Sequence, residues 1–196
     1  MKLKITIPEG WDEITLKAYQ RYMLTQNTDN SNSVKIVQMI SAFCRISTEE
    51  ASKINLKDLA LVTNKLNKIL SVDVTNFTQI FELNKVKYGF IPNWEEITIG
   101  EYVDLEELIK LGFWENVHKI MAIFYRPVIA QKDNNEYIIE DYTPNEGRAK
   151  DFLGLSMDLV LGCTSFFLLL GVELQGVLSS SLTQKKNPKT KKTEGN

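Results

Sequence analysis

One pair of side chains in this sequence has the spacing of a metal-binding motif. Glu115-x-x-His118 places a carboxylate and an imidazole on the same face of a helix, as in carboxylate-bridged di-iron proteins. Those sites need the motif twice, and His118 is the single histidine of the chain. We therefore predict no metal site, and we interpret His118 as a partly buried polar residue beside Trp114 and Tyr125.

A second group of side chains, Glu101, Asp104, Glu106 and Glu107, could suggest acid–base catalysis or cation binding. These carboxylates alternate with apolar residues, which is the pattern of a solvated helix face. The sequence contains no glycine-rich phosphate loop, no G-x-S-x-G nucleophile motif and no Cys-x-x-Cys pair. We therefore predict a protein that is not an enzyme and needs no cofactor.

The cysteines and the apolar segments indicate where the protein works. Cys44 and Cys163 each lie in an apolar helical pattern, which favours small buried side chains over a disulfide or a metal pair. The N-terminus lacks the features of a secretory signal. The longest apolar stretch, residues 159–172, has 14 residues, short of the roughly 20 that cross a bilayer. We expect a cytoplasmic protein with no membrane segment.

Charge is distributed unevenly along the chain, whose net charge is -2. The C-terminal segment has Lys185, Lys186, Lys189, Lys191 and Lys192 against Glu194, which leaves +4 there and -6 in the rest. An acidic body argues against a groove for nucleic acid. We predict a disordered, Lys-rich tail over residues 183–196, through which nucleic acid could bind at most weakly.

The spacing of apolar residues predicts a mainly helical α+β fold with small β-hairpins, in a single compact domain over residues 1–182. The predicted elements are a strand at 3–7, helices beginning near 15, 34, 47 and 56, a hairpin at 80–90 turning at Asn84-Lys85, helices at 93–112 and 113–125, a hairpin at 128–142 turning at 133–135, and a last helix at 156–178.

The most specific feature of the sequence is an internal duplication. Residues 7–19, IPEGWDEITLKAY, match residues 91–102, IPNWEEITIGEY, with one residue deleted. Each copy follows a run with a strand-like pattern, so residues 1–26 and 85–112 are predicted to be equivalent. Both copies should therefore begin a helix in the same way.

The chemistry of the two copies explains this shared helix start. Thr15 and Thr98 are predicted N-caps, whose hydroxyl groups accept hydrogen bonds from the first turn. Tyr19 and Tyr102 then occupy the fourth helical position, where each completes a hydrophobic staple with the isoleucine before the cap. Thr98 and Glu101 are spaced as a capping box.

Two interpretations of the repeated aromatic residues remain open. Trp11 and Trp94 could simply lock a strand to a helix within the core. Alternatively, the two equivalent elements could lie side by side and form a groove for a partner segment. The candidate partner-binding residues are Trp11, Tyr19, Trp94 and Tyr102, because aromatic side chains dominate interface energetics, although a core would use the same residues.

Several blocks of the sequence together resemble one group of viral proteins. They are the IP-x-x-W-x-E-IT start, GFIP and GEYVDL (89–92 and 100–105), HKIMAIFYRP (118–127) and MDLVLG (157–162). The combination resembles small proteins encoded in the virion-morphogenesis region of tailed bacteriophages that infect Bacteroidetes. The resemblance covers most of residues 3–178, and such proteins are similar to what is often called a tail assembly chaperone or a minor virion protein.

This resemblance implies a non-enzymatic helper that is made in the host cytoplasm and binds a tail or virion protein during assembly. It supplies no catalytic residues. Our first hypothesis is a chaperone-like protein that holds an extended or helical segment of a tail protein. The alternatives are a structural subunit of the virion, which should form homo-oligomers, and a host-directed regulator or DNA-binding protein.

Overall fold

The computed structural model of the chain describes residues 5–93, 97–132 and 136–167. Within them the fold is mainly helical α+β, which confirms the predicted class. The elements, in chain order, are a 3₁₀ turn (Trp11–Glu13), α1 (Leu16–Gln26), α2 (Asn32–Phe43), α3 (Thr48–Ser52), α4 (Leu56–Leu70), β1 (Ile80–Leu83), β2 (Val86–Phe90), α5 (Ile99–Lys110), α6 (Phe113–Phe124), β3 (Tyr125–Gln131), β4 (Tyr137–Ile139), α7 (Glu146–Phe152) and α8 (157–167).

The four strands form one antiparallel sheet in the order β1-β2-β3-β4. The turn between β1 and β2 consists of Asn84 and Lys85, both with positive φ (51° and 65°). This is the conformation that a two-residue type I′ hairpin requires, and asparagine tolerates it better than most residues. The predicted first hairpin is confirmed, including the position of its turn.

The start of β3 corrects two predicted boundaries. Helix α6 ends at Phe124, and β3 begins at once with Tyr125, so that Arg126 and Pro127 lie inside the strand opposite β2. Proline disfavours the helical conformation of the residue before it, and the chain therefore passes from helix to strand without a loop. The predicted turn of the second hairpin, at residues 133–135, lies outside the described residues.

The predicted N-terminal strand is wrong over the residues that can be compared. Residues 1–4 lie outside the described part, and residues 5–8 form no strand. Ile5 and Ile7 instead pack individually against the core while Thr6 faces solvent. The alternation over residues 5–8 therefore records alternating burial without strand pairing, whereas the second copy of the duplication follows a strand, β2.

The starts of α1 and α8 are joined to each other by backbone hydrogen bonds. The Leu16 N–H donates to the Leu155 carbonyl and the Met157 N–H donates to the Ile14 carbonyl, each at 2.8 Å. The Lys17 N–H donates to Leu153 at 2.9 Å. The first amides of a helix have no partner within it, and here the segment that precedes each helix supplies acceptors for the other helix.

The helices form a row in which consecutive members pack together in the order α4, α2, α1, α6, α5. Short helices α3 and α7 pack beside α2 and α6. Sequence patterning did not predict α7, which has few apolar residues and begins at the side-chain cap of Asn145. Helices α4 and α5 therefore stand at the two ends of the row.

An extended segment, residues 72–78, crosses α8 and holds it near the sheet. The Ser165 hydroxyl donates to the Val74 carbonyl at 3.0 Å, and the Phe77 ring stacks on Phe166 at 4.2 Å. The carbonyl oxygen of Asn76 lies so close to Gly162 that a Cβ atom there would be 2.1 Å away. A glycine at 162 is what permits this crossing.

A buried ion pair joins α5 to β3. Arg126 Nη1 lies 2.9 Å from Glu101 Oε1, and the two side chains are 9% and 2% exposed. The other carboxylate oxygen of Glu101 accepts the Thr98 N–H at 2.6 Å, which completes the predicted capping box with Thr98. Glu101 thus both caps its own helix and neutralises an arginine of the sheet.

Candidate partner-binding groove

Trp11 lies in the 3₁₀ turn that precedes α1, where it is only 8% exposed. Its indole Nε1–H donates to the Val72 carbonyl oxygen at 2.9 Å. Its ring packs edge-on against Tyr19, with 5.7 Å between centroids. Trp11 therefore joins the N-terminal segment, α1 and the segment that follows α4.

Tyr19 is the centre of an aromatic cluster. Besides Trp11, its ring contacts Tyr22, Phe43 and Trp114, at centroid distances of 5.9, 6.5 and 5.0 Å. Burial raises the pKa of Tyr19, with a smaller contribution from Tyr22, and burial alone raises the pKa of Tyr22. Both phenols are therefore neutral at physiological pH.

A groove of about 630 Å³ opens beside this cluster. One wall comes from α1, one from the segment after α4, and one from α8. Its lining is largely apolar and aromatic and comprises Trp11, Tyr19, Tyr22, Met23, Gln26, Leu70, Val72, Asp73, Val74, Thr75, Leu161 and Ser165. We call this the Trp11 groove.

A second depression, of about 410 Å³, adjoins the first. Trp11 and Val72 line both of them. The second one also has Pro8 and Ile69 in its lining, together with Lys65 and Lys68. The two depressions thus form one surface with an apolar centre and lysines on one side, large enough for a peptide segment.

The α1 wall of the groove is held firmly at its N-terminus. Thr15 is the N-cap, as predicted, and its hydroxyl oxygen accepts the Ala18 N–H at 3.3 Å. The preceding residue, Ile14, and the following residue, Leu16, are both fully buried. Together with the bonds to α8, these contacts fix the helix from which Tyr19, Tyr22 and Met23 project.

The structure gives the positions of three of the four predicted partner-binding residues. Trp11 and Tyr19 come together, and both line the groove. Tyr102 is not part of it: this side chain lies on the outer face of α5 and is 52% exposed. Trp94 lies outside the described residues. The structure therefore brings together the two aromatic candidates of the first copy.

The sequence did not predict most of the other residues that line the Trp11 groove. Val72, Val74 and Leu161 reach the groove because residues 72–78 cross α8, a long-range arrangement that local periodicity does not record. Tyr22 and Met23 could have been included, since both lie on the predicted apolar face of α1. The helical spacing of Tyr19, Tyr22 and Met23 was the feature of the sequence that indicated the α1 wall of the groove.

His118 is half-buried, as predicted, next to the carbonyl group of Trp114. The amide nitrogen of Gln20 lies 3.1 Å from His118 Nδ1 and donates to the Trp114 carbonyl at 2.8 Å. Burial lowers the pKa of His118, and the charge of Lys119 lowers it further. Tyr125 lies instead among the aromatic rings of the sheet, against Phe81.

Metal-ligand clusters and membrane-spanning helices are both missing from the described residues. In residues 5–93, 97–132 and 136–167, no three His, Cys, Asp or Glu side chains are arranged to hold a metal ion. Among the helices of the same residues, none has the length and apolarity that crossing a membrane requires. Cys44 and Cys163 are both free and buried, which confirms that prediction.

Comparison with known proteins gives no relative. No protein-family model, curated protein or solved structure matches the chain.

Proposed function

We propose that the chain is a non-enzymatic bacteriophage assembly protein that acts like a tail assembly chaperone and binds a segment of a tail or virion protein in the Trp11 groove. The phage assignment rests on the sequence resemblance. The observation that supports the binding role is the groove itself, which presents aromatic and aliphatic side chains at an open surface.

The composition of the groove suits a protein segment as the ligand. Aromatic side chains contribute large contact areas, and methionine adapts its shape to the ligand that it meets. Lys65 and Lys68 line the adjoining depression together with Glu9, and Asp73 lines the groove, so the charges of the surface favour neither sign in the bound segment. Such a segment could be extended or helical.

The structure dictates which substitutions test this proposal. Trp11→Ala is a poor choice, because removing a buried, hydrogen-bonded indole leaves a cavity that costs about 3–5 kcal/mol of stability. Met23 and Val72 line the groove and are not fully buried. Met23→Glu and Val72→Glu should therefore abolish binding while the protein stays folded.

The first experiment is mass spectrometry of purified virions and of infected-cell lysate, with this chain quantified in both. A chaperone should be abundant in lysate and absent from particles. A photo-crosslinking amino acid at position 23 should then attach to a tail or virion protein, and Val72→Glu should remove that adduct. Ile129→Glu, at an exposed site on β3, is the matched control. A fixed copy number in particles would overturn the chaperone proposal.

The second candidate function is a structural subunit of the virion. It is favoured by the exposed apolar residues on the outer face of α5, among them Ile99, Tyr102 and Val103. A persistent subunit contact would cover such a face. In that case the chain would be found in purified particles, and the Met23→Glu variant would still be incorporated.

A further inference from the structure

Helix α5 carries apolar side chains on two opposite faces. Its inner face buries Leu105 against the rest of the protein. Its outer face exposes Ile99, Tyr102, Val103 and Ile109, with Ile99 at 81%. A helix that is apolar on both sides is normally covered on both sides, and no described element covers the outer face of α5.

Helix α4, at the other end of the row, also has an outer face that is exposed. Its inner side buries Val62, Leu66 and Ile69, while Leu61 on its outer side is 59% exposed. Lys57 and Lys68 lie on the same side as Leu61, since all three fall within a narrow arc of the helix. The exposed Asn64 and Asn67 lie on this outer side as well, so the face is basic and polar, with Leu61 at its edge.

The charges of the two terminal helices are opposite. Helix α4 has three lysines and one aspartate, although the chain as a whole is acidic. Helix α5 has four carboxylates and one lysine, and Arg126 neutralises one of the carboxylates, Glu101. On its outer side Glu106 and Glu107 are exposed, and Lys110 pairs with Glu106 at 2.9 Å. The outer face of α5 is apolar and acidic.

We propose that the chain self-associates head to tail, with the basic outer face of α4 in one copy packed on the acidic outer face of α5 in the next. The two faces are at opposite ends of the helix row, so the contact continues the row from one copy into the next. Such a contact uses two different patches and produces a ring or a filament. It goes beyond the proposed function, and it shares Lys68 with the depression that adjoins the Trp11 groove.

The size of the two faces sets the strength of this contact. A helix of the length of α5 extends for about 18 Å. One helix face packed on another buries less than the roughly 800 Å² per partner of a standard stable interface. Self-association is therefore reversible, depends on protein concentration, and weakens with added salt because exposed charges contribute to it.

Sedimentation velocity of the full chain, over about a hundredfold range of concentration at low salt, tests this proposal. Two variants reverse one face each: Lys57→Glu/Lys68→Glu on α4 and Glu106→Lys/Glu107→Lys on α5. A matched control, Lys85→Glu/Lys87→Glu, makes the same change in net charge as the α4 variant, at the exposed β1–β2 hairpin. Circular dichroism establishes that each variant is folded.

The expected result has three parts. The sedimentation coefficient of the natural protein and of the control rises with concentration, each face variant alone stays monomeric, and an equimolar mixture of the two face variants associates again. The proposal is overturned if the natural protein stays monomeric throughout, or if the α4 variant associates as the natural protein does. The latter result would indicate a two-fold contact between copies of α5. Failure of the mixture to associate overturns it as well.

Discussion

At the scale of single residues, the neighbours of His118 determine both its contacts and the direction of its pKa shift. The Glu115-x-x-His118 spacing is present on α6, yet the imidazole is occupied by a structural contact with Gln20 on α1. Because that contact links two helices of the row, the histidine serves packing between α1 and α6. Spacing alone could not reveal this role, since Gln20 comes from a distant part of the sequence.

We predict that the His118 imidazole titrates below pH 6.5 in the folded protein. Burial and Lys119 favour the neutral form, so the unfolded chain takes up the proton first as the pH falls. The contribution to stability is therefore fully present above pH 6.5 and is lost as the pH falls toward the lowered pKa.

The measurement is simple because the chain has one histidine. An NMR titration of the single imidazole gives its pKa directly, and the same titration in urea gives the unfolded reference. Urea midpoints at about pH 7.5 and about pH 5.5 should differ more for the natural protein than for His118→Gln. A folded-state pKa at or above the unfolded one would contradict the prediction.

At the scale of elements, the ion pair between Glu101 and Arg126 decides how α5 is held on the sheet. Glu101→Gln retains a side-chain oxygen that can cap the helix but leaves Arg126 buried without a counter-charge. We expect a loss of about 3–5 kcal/mol in the free energy of unfolding, measured by urea denaturation.

Two further variants make this prediction specific. Glu106→Gln removes the exposed ion pair with Lys110 on the same helix, and it should cost less than about 1 kcal/mol. Combining Glu101→Gln with Arg126→Met should recover most of the lost stability, because no uncompensated buried charge remains. Equal effects of Glu101→Gln and Glu106→Gln would show that burial is not the deciding factor.

Elements were predictable where their determinants are local. The turn at Asn84-Lys85 and the caps at Thr15 and Thr98 are specified by a few neighbouring residues, and all three are confirmed. The N-terminal strand failed because period-two burial does not require a pairing partner. Helix α7 was missed because its polar sequence gives little periodicity, and its position depends on packing against α6.

At the scale of the whole molecule, the groove was only half predictable. Trp11 and Tyr19 belong to the duplicated segment and were recognised from it. The opposite wall, including Val72 and Leu161, depends on the crossing of residues 72–78 over α8. The mutual capping of α1 and α8 likewise joins segments that are far apart in sequence. The sequence pattern of one segment does not predict its contact with the other.

That mutual capping leads to a prediction about native-state hydrogen exchange. The amides of Leu16 and Met157 should exchange with nearly the same free energy of opening, close to that of global unfolding, because breaking either bond separates α1 from α8. Amides in the last turn of α1, such as that of Gln26, serve as the control and should exchange faster. Fast exchange at Leu16 alone would contradict this coupling.

The joined starts of α1 and α8 also determine when the Trp11 groove can form during synthesis of the chain. Helix α1 leaves the ribosome early, but the carbonyl groups that accept its first amides belong to Leu153 and Leu155. The α8 wall of the groove, with Leu161 and Ser165, is translated later still. A nascent chain therefore displays Trp11 and Tyr19 without the surface that completes their groove, and a partner would meet that groove only after nearly all of the described chain has been made.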